Sequence, residues 1–357
     1  MAEKRRSVIA AVAISREVDM SFVEDAFAGG FTFDSQQVEF DMYTEGETIA
    51  LKGSFAKQAN VVDKDDYLTV RVNPMQVNES RVDGVANVNK KRIGETVYGN
   101  ATGLNAAQTR TLEDDIKGYR GLQKRAQRLI KKSAYDVATT GKVTVSADGE
   151  VTDEVDYKLT NKIVNTGSDL WTDAGSDPVK QLEQEALKMK VPADTYTFSL
   201  DVWNAFTSNN NVRTADNSQS GDIANFITAT PAEKNARSTR TYIYMGQTAG
   251  IHGRTVDIYV EIDTYQVTAT TTANYIDRKF AVGYTRGSEE YGQIQYGAIP
   301  VVEDENSNNA RISNFVGVEY LDSKVSKNPV GVERFYRSSP LVTMNQPAAF
   351  ISIEAIS

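Results

Sequence analysis

The clearest pattern in the chain is a run of apolar residues spaced three and four positions apart between residues 109 and 139. This spacing places one apolar face along a helix and predicts a helix over residues 109–139. At about 1.5 Å per residue, the helix would be more than ~40 Å long. We therefore expect a spine helix rather than a helix enclosed in a compact core. Its apolar positions are Leu112, Ile116, Tyr119, Leu122, Ala126, Leu129, Ile130, Ala134 and Val137.

The N-terminal residues are predicted to form an arm that carries a short helix. Apolar residues at positions 22, 23, 26 and 27 form a stripe, with Ser21 placed to cap the helix and Glu24 three residues later. Two glycines at positions 29 and 30 end the helix, and Phe31 and Phe33 begin an extended stretch. The first 14 residues imitate a secretory signal, but acidic residues follow a short apolar run, which favours an arm.

Residues 46–104 have few apolar residues, and polar and charged residues are interleaved among them. A β-like patch over residues 67–72, which includes Tyr67 and Val70, is closed by Asn73 and Pro74. Such a segment buries little core of its own, and an isolated hairpin is only marginally stable in water. We therefore predict a long two-stranded projection that rests on another subunit.

The remaining pattern predicts a mixed α+β chain. Val143–Val145 and residues 151–159 form a hairpin around Asp148 and Gly149, and a helix covers residues 177–189 with Asp177 as its cap. A strand at residues 196–200 runs directly into a helix at residues 201–206. Further strands are predicted at residues 241–245, 255–262, 265–271, 279–284, 315–321, 330–337 and 350–356.

Composition removes several classes of function. The 357 residues suggest about two domains, contain no cysteine and include one histidine, His252, which we interpret as a turn residue. Thiol chemistry, disulfides and cysteine or histidine metal sites are therefore excluded or disfavoured. No apolar run has the ~20 residues needed to span a bilayer. We find no catalytic constellation and expect no metal and no cofactor.

Charge also bears on partners. The net charge of −9 argues against general adhesion to nucleic acid. The predicted spine helix nevertheless has a local basic excess, which reads either as a stripe facing phosphate or a partner, or as a solvated helix face. We favour the solvated face. The basic residues are Lys117, Arg120, Lys124, Arg125, Arg128, Lys131 and Lys132.

Three stretches resemble the major capsid proteins of tailed phages, of the lambda head-protein type, whose fold is called Hong Kong ninety-seven. They are residues 22–41 (FVEDAFAGGFTFDSQQVEFD), residues 195–206 (TYTFSLDVWNAF) and residues 334–357 (RFYRSSPLVTMNQPAAFISIEAIS). The polar segment and the long helix lie between the first two stretches, as in that family. The resemblance therefore covers nearly the whole chain.

The resemblance implies a division of the chain. Residues 1–45 would be the N-terminal arm, and residues 46–104 the extended E-loop hairpin over a neighbouring subunit. Residues 105–165 and 311–357 would form the P-domain with the spine helix and strands. Residues 166–310 would form the A-domain, with a central sheet and flanking helices. Contacts between subunits would involve Lys52, Lys57, Lys64, Tyr67, Val70, Phe31 and Phe33.

The resemblance further implies a structural protein that assembles into pentamers and hexamers of an icosahedral head around double-stranded DNA. Its expected partners are other copies of itself, a separate scaffolding protein, a portal at one vertex and a decoration protein. The DNA would be packaged without sequence-specific binding. Assembly would take place in the host cytoplasm and end in the virion capsid. Lysine–asparagine cross-links, known in part of the family, are not expected.

Three alternatives stay open at this point. A bacterial nanocompartment shell would share the fold and enclose an enzyme. A β-rich adhesin or tail component would leave the helix at residues 109–139 unexplained. A carboxylate-dependent hydrolase would need a concave pocket with perturbed carboxyl groups.

Overall fold

The computed structural model describes residues 18–43, 67–84, 106–147, 150–189, 191–212, 241–249, 255–268, 270–287, 291–303, 311–327 and 330–357. The helices of this part are α1 (Ser21–Ala26), α2 (Ala106–Thr140), α3 (Pro178–Lys188) and α4 (Leu200–Ser208). The strands are β1 (Val38–Tyr43), β2 (Tyr67–Val72), β3 (Val77–Gly84), β4 (Lys142–Ala147), β5 (Glu150–Asp156), β6 (Lys162–Val164), β7 (Thr195–Ser199), β8 (Tyr242–Ala249), β9 (Thr255–Glu261), β10 (Thr264–Gln266), β11 (Thr272–Asn274), β12 (Phe280–Tyr284), β13 (Gly292–Tyr296), β14 (Ile299–Glu303), β15 (Arg311–Phe315), β16 (Tyr320–Lys327), β17 (Val330–Ser338), β18 (Pro340–Met344) and β19 (Phe350–Glu354).

A six-stranded mixed sheet organises the fold, in the order β6-β19-β12-β7-β9-β8. Strand β7 lies inside the sheet, parallel to β9 and antiparallel to β12. All five residues of β7 are buried, because both faces of the sheet are covered. Its sequence therefore lacks the alternation of apolar and polar residues that marks a strand with one solvated face.

Two apolar cores lie on opposite faces of this central sheet. On one face, Phe198 and Ala281 pack with Val202 and Phe206 of α4 and with Leu182 of α3. The other core contains buried side chains from the second half of α2 together with sheet residues, namely Ile130, Ala134, Tyr135, Val137, Ala138, Tyr259, Val282 and Tyr284. The C-terminal half of α2 is thus a core helix, which corrects the expectation of a spine that lies outside any compact core.

Smaller sheets surround the central one. Strands β16, β17 and β3 form a three-stranded antiparallel sheet, and Leu122 and Ala126 of α2 pack beside Tyr336 of β17. Here Arg334 of β17 is buried and forms an ion pair with Asp83 of β3. Two-stranded ribbons are formed by β1 with β2, β4 with β5, β10 with β11, β13 with β18, and β14 with β15.

Most predicted elements are confirmed within a few residues. The spine helix, the hairpin at residues 142–156, the helix capped by Asp177 and the strand–helix unit at residues 195–208 are all present. The cap is direct, since the Lys180 amide donates to Asp177 Oδ1 over 3.1 Å. The strand predicted at residues 315–321 is wrong, because β15 ends at Phe315 and β16 begins at Tyr320. The strand predicted at residues 265–271 is also wrong, because β10 ends at Gln266 and β11 begins at Thr272. The sequence pattern also does not predict β6, β13, β14 and β18.

Candidate subunit-contact surfaces

The N-terminal helix is fixed to the central sheet by one carboxylate. Asp19 accepts hydrogen bonds from the amide and hydroxyl of Ser21 and from the amides of Thr241 and Tyr242. Burial alone would raise the pKa of Asp19, but these hydrogen bonds hold that pKa below its usual value. The predicted cap at Ser21 is therefore wrong, because Ser21 donates to Asp19 and makes no side-chain cap bond.

An aromatic stack continues this attachment. The Phe22 ring lies parallel to the Tyr135 ring of α2, with centroids 4.0 Å apart. Val23, Ala26 and Phe27 are also buried, which confirms the predicted apolar stripe of α1. The N-terminal helix is therefore packed against the C-terminal half of α2 and held by hydrogen bonds to the start of β8.

The two phenylalanines of the predicted contact set have different environments. The backbone around them bridges to β13, since the Phe33 amide donates to the Tyr296 carbonyl and the Tyr296 amide to the Phe31 carbonyl. Phe33 packs against the core of this chain, whereas Phe31 is 61% exposed. Phe31 therefore has a large apolar surface free of its own core.

The segment at residues 46–104 is described only from residue 67 to residue 84. Strand β2 pairs with β1, and β3 pairs with β17, so the two strands do not pair with each other. In the connection between β2 and β3, the Met75 amide donates to the Pro340 carbonyl. The described part of this segment is thus an anchored base and not the predicted two-stranded projection.

The other predicted contact residues are only partly within the described chain. Lys52, Lys57 and Lys64 lie outside the described residues, as does the side chain of Tyr67, whose backbone begins β2. Val70 is partly buried against the core of this chain. Whether these residues touch a neighbouring subunit stays a prediction.

The predicted basic stripe lies along α2 and is interrupted near its C-terminal end. Lys117 and Arg128 are exposed, whereas Arg120 and Lys124 are half-buried. Arg125 forms an ion pair of 3.1 Å with Glu79. Lys131, the next basic residue on this face, is fully buried. The solvated face favoured from the sequence therefore describes only part of the stripe.

Lys131 is part of a buried polar cluster between α2 and the central sheet. Its Nζ lies 3.0 Å from Glu261 Oε2, 3.2 Å from Asp263 Oδ2 and 4.7 Å from the ring centroid of Tyr275. The Tyr135 hydroxyl also donates to Glu261 over 2.8 Å. Burial raises the pKa of Glu261, and the attraction to Lys131 opposes that rise without cancelling it. We therefore interpret this cluster as a structural contact that fixes α2 to the central sheet.

The ribbon of β14 and β15 presents apolar residues to solvent. Val302 and Ile312 face each other in the register and are 45% and 79% exposed. Ile299 and Val301 are buried, so the ribbon packs one apolar side inward and leaves another outward. An exposed apolar cross-strand pair of this kind favours contact with another protein surface.

The comparisons with known proteins decide between the alternatives. A family model described as phage major capsid protein E matches residues 4–355. The chain belongs to this family. The capsid protein is therefore a structural shell protein of a tailed phage, and its place is the virion capsid. The family match, and not the fold, favours this role over a nanocompartment shell that would share the fold.

Solved structures agree on the fold of the capsid protein. A crystal structure described as a prophage capsid protein from E. coli CFT073 is similar with a TM-score of 0.66 at 15% identity, over 99% of this chain and 98% of that chain. A phage-related protein from Bordetella bronchiseptica RB50 is similar with a TM-score of 0.53 at 10% identity, over 98% and 96%. No curated protein sequence matches the capsid protein. The predicted tailed-phage capsid fold of class α+β is confirmed.

Two further observations concern chemistry and membranes. In the described part of the chain, no group of three acidic, histidine or cysteine residues is arranged to hold a metal ion. In the same residues, no helix combines the length and the apolarity that a bilayer span needs. His252 lies outside the described residues.

The sequence reasoning missed the Lys131 cluster and the Val302–Ile312 pair. The sequence places Lys131 among the basic residues of a helix face, although Ala134 and Tyr135, three and four positions later on the same side of the helix, are buried. The β14–β15 ribbon was missed because Pro300 interrupts its first strand, and proline usually argues against an inner strand. Both strands of a two-stranded ribbon are edge strands, and an edge strand tolerates a proline because the missing N–H can face solvent.

Proposed function

We propose that the capsid protein assembles into pentamers and hexamers that close into an icosahedral head around double-stranded DNA. The observation that carries this proposal is the match of the capsid family over residues 4–355. The exposed pair Val302 and Ile312 supports it, because a shell subunit needs apolar surface for its neighbours. Heterologous contacts of this kind close into rings when the rotation between subunits permits. The role is structural and includes no catalytic step.

We propose that residues 46–104 extend over a neighbouring subunit. Strand β2 pairs with β1 and β3 pairs with β17, so each described strand of this segment is fixed to a different sheet of this chain. These two pairings support the proposal because they provide an anchored base from which the segment would extend. The contact set would be Phe31, Phe33, Tyr67, Val70, Lys52, Lys57 and Lys64, and Phe31 has the largest described apolar exposure among them. The division into arm, E-loop, P-domain and A-domain is part of the same proposal.

The expected partners follow from assembly around DNA. We propose a separate scaffolding protein, a portal at one vertex and a decoration protein, with assembly in the host cytoplasm. The net charge of −9 limits adhesion of the packaged DNA, since like charges repel over roughly a Debye length, about 8 Å in physiological salt. The exposed part of the basic stripe, at Lys117 and Arg128, would be the local exception.

The test is assembly of the purified protein, alone and with its scaffolding protein, followed by negative-stain electron microscopy. We expect closed shells, or rings of five and six subunits. A uniform monomer under every assembly condition would overturn the proposal. Mass spectrometry of the same shells tests cross-linking, and we expect no covalent multimers.

A further inference from the structure

A groove of about 780 Å³ is lined by α2 on one wall and by residues 264–268, which include β10, on the other. The residues of the α2 wall are at positions 125, 128, 129 and 132, and steps of three and four place them on one side of the helix. Val18, Asp19 and Thr241 complete the lining. The size of the groove falls in the usual range of binding sites, roughly 300–1,000 Å³.

Each wall of the groove presents a large apolar side chain to solvent. Leu129 of α2 is 41% exposed, and Val267 of the opposite wall is 60% exposed. Both side chains are therefore accessible to a group that enters the groove. Removal of exposed apolar surface from water is favourable, so the groove fits an occupant with apolar side chains.

The sequence provides an apolar segment next to this groove. Val18 lines the groove and is the first described residue, and the sequence has 17 residues before it. An apolar run at residues 8–14 (VIAAVAI) ends at Ile14, four positions before Val18. Since a chain spans at most about 3.6 Å per residue, Ile14 lies within about 14 Å of Val18. Covalent linkage therefore keeps the end of the apolar run near the groove.

The two carboxylates of the groove already have partners in this chain. Asp19 accepts hydrogen bonds from the amides of Thr241 and Tyr242. Asp263 forms an ion pair of 3.2 Å with the buried Lys131. Asp19 thereby fixes the point at which the chain reaches the groove, and neither carboxylate requires a cation from an occupant.

The cations of the groove favour the part of the segment nearest to Val18. Arg125 and Lys132 have carboxylate partners, whereas Arg128 is exposed and has no ion pair with a carboxylate in the described ranges. Glu17, directly before the first described residue, has the charge that complements Arg128. The basic residues 4–6 have the same charge as this wall, which disfavours their entry.

The length of the wall limits how many residues enter. At about 1.5 Å per residue, positions 125–132 of α2 span about 10 Å, which about three residues of extended chain cover. We propose that the end of the apolar run, residues 12–14, packs in this groove between Leu129 and Val267 of its own chain. The contact covers both exposed side chains and fixes the arm against α2. It is a property of the unassembled subunit and does not depend on shell formation.

The first test uses the absence of cysteine from the chain. Gln266→Cys, at an exposed position of the β10 wall, is combined in turn with Val12→Cys, Ala13→Cys and Ile14→Cys. A disulfide requires Cα atoms within about 7 Å of each other, so we expect an intrachain bond in at least one pair. The unassembled full-length protein is oxidised at low concentration. Peptide mass spectrometry then identifies the bond, and non-reducing electrophoresis shows whether it joins one chain or two.

The control pair combines Ala13→Cys with Ser80→Cys, an exposed position of β3 that does not line the groove, and it should stay reduced. Absence of an intrachain bond from all three test pairs would overturn the proposal. A bond that joins two chains would overturn it as well, because the segment would then occupy the groove of another copy.

Trypsin tests the same contact in the cysteine-free protein. Arg16 lies between the apolar run and the groove, whereas Arg6 precedes the run. The double variant Leu129→Gln with Val267→Gln removes the apolar contact. We expect about tenfold faster cleavage after Arg16 in this variant, because cleavage follows the population of the open segment when opening is fast. Cleavage after Arg6 should not change.

Val164→Gln is the matched control, since it replaces another exposed apolar side chain outside the groove, and it should leave both cleavage rates unchanged. Equal rates of cleavage after Arg16 in the wild type and the double variant would contradict the proposal. Shell formation is measured separately by electron microscopy, so failure of this contact and failure of assembly are distinguishable.

Discussion

Lys131 of α2 and Glu261 of β9 form an ion pair in which both side chains are fully buried, with Nζ 3.0 Å from Oε2. The two residues are 130 positions apart in the chain, so the pair joins the long helix to the central sheet. Asp263 and Tyr135 complete the cluster around them. Burial of such a pair carries a large desolvation free energy. Removal of one of the two charges is strongly destabilising, because the other charge stays buried without a partner.

Replacement of Lys131 by methionine is expected to destabilise the unassembled protein by about 3–5 kcal/mol, because Glu261 would stay buried without its cation. Urea unfolding followed by circular dichroism measures this. The double variant Lys131→Met with Glu261→Gln should recover part of the loss, since the fully buried residue 261 then carries no unpaired charge.

Lys132 offers the matched control for Lys131. It pairs with Asp136 one turn along α2 and is partly exposed. Lys132→Met should cost only about 0.5 kcal/mol, as for a surface pair within a helix. Equal losses of unfolding free energy in the two lysine variants would show that the buried cluster stabilises the protein no more than a surface ion pair does.

Asp19→Asn is expected to reduce stability by about 1–2 kcal/mol at pH 7, because four donors around α1 lose an ionised acceptor. The pKa of Asp19 is lower in the folded protein than its ordinary value of 3.8, so its contribution is complete above that value. The contribution is lost as the pH falls through the folded pKa. Unfolding free energies of wild type and variant should therefore converge below pH 3.8.

The control for this pH dependence is Glu24→Gln, a change of an exposed carboxylate on the same helix. Its effect on stability should be small at neutral pH. A constant difference between wild type and Asp19→Asn at every pH would contradict the role given to the charge.

Gly283→Ala is expected to destabilise the central sheet by about 1–3 kcal/mol through overpacking. An added Cβ would clash with Tyr196 Cε1 and would lie 2.6 Å from Ile351 Cγ2, on the two strands that flank β12. Gly121→Ala in α2 is the contrasting variant, because nothing lies within 4 Å of its added Cβ. That change should stabilise the protein by about 0.5–1 kcal/mol. Thermal unfolding of both variants checks the difference in sign.

Ile312→Asn is expected to reduce shell formation several-fold while leaving the stability of the unassembled protein within about 0.5 kcal/mol, because the side chain is exposed. Ile312→Val keeps the apolar surface and should assemble nearly as the wild type does. Light scattering and negative-stain microscopy measure assembly. Normal assembly of Ile312→Asn would remove the β14–β15 ribbon from the list of contact surfaces.

Local patterns determined much of the secondary structure. The three- and four-residue spacing predicted α2 with ends at 109 and 139, and the helix spans Ala106–Thr140. Asp177 and Pro178 marked the start of α3 because capping and proline preference act over a few residues. Strand β18 carried no such signal, since all five of its residues are buried and no alternation remains.

The candidate surfaces were less predictable than the elements. The sequence gives Phe31 and Phe33 the same predicted role, and only the fold packs Phe33, partly buried, against the core while it leaves Phe31 exposed. A cavity beside Gln127 is lined by residues of α1, α2, β13, β17 and the turn before β16, which no local pattern relates. Nearness in space between distant segments is a property of the packing, and a single sequence does not contain it as a periodic signal.

By itself, the sequence determined the helix and strand periods, the absence of cysteine chemistry and, through its resemblance to a family, the shell fold. The tertiary structure alone decided that Lys131 is buried, because its partners Glu261 and Asp263 come from a distant strand end. It also decided that β2 and β3 separate, each paired to a different strand. Periodicity fixes which face of an element is apolar, whereas burial and pairing depend on what the rest of the chain places against that face.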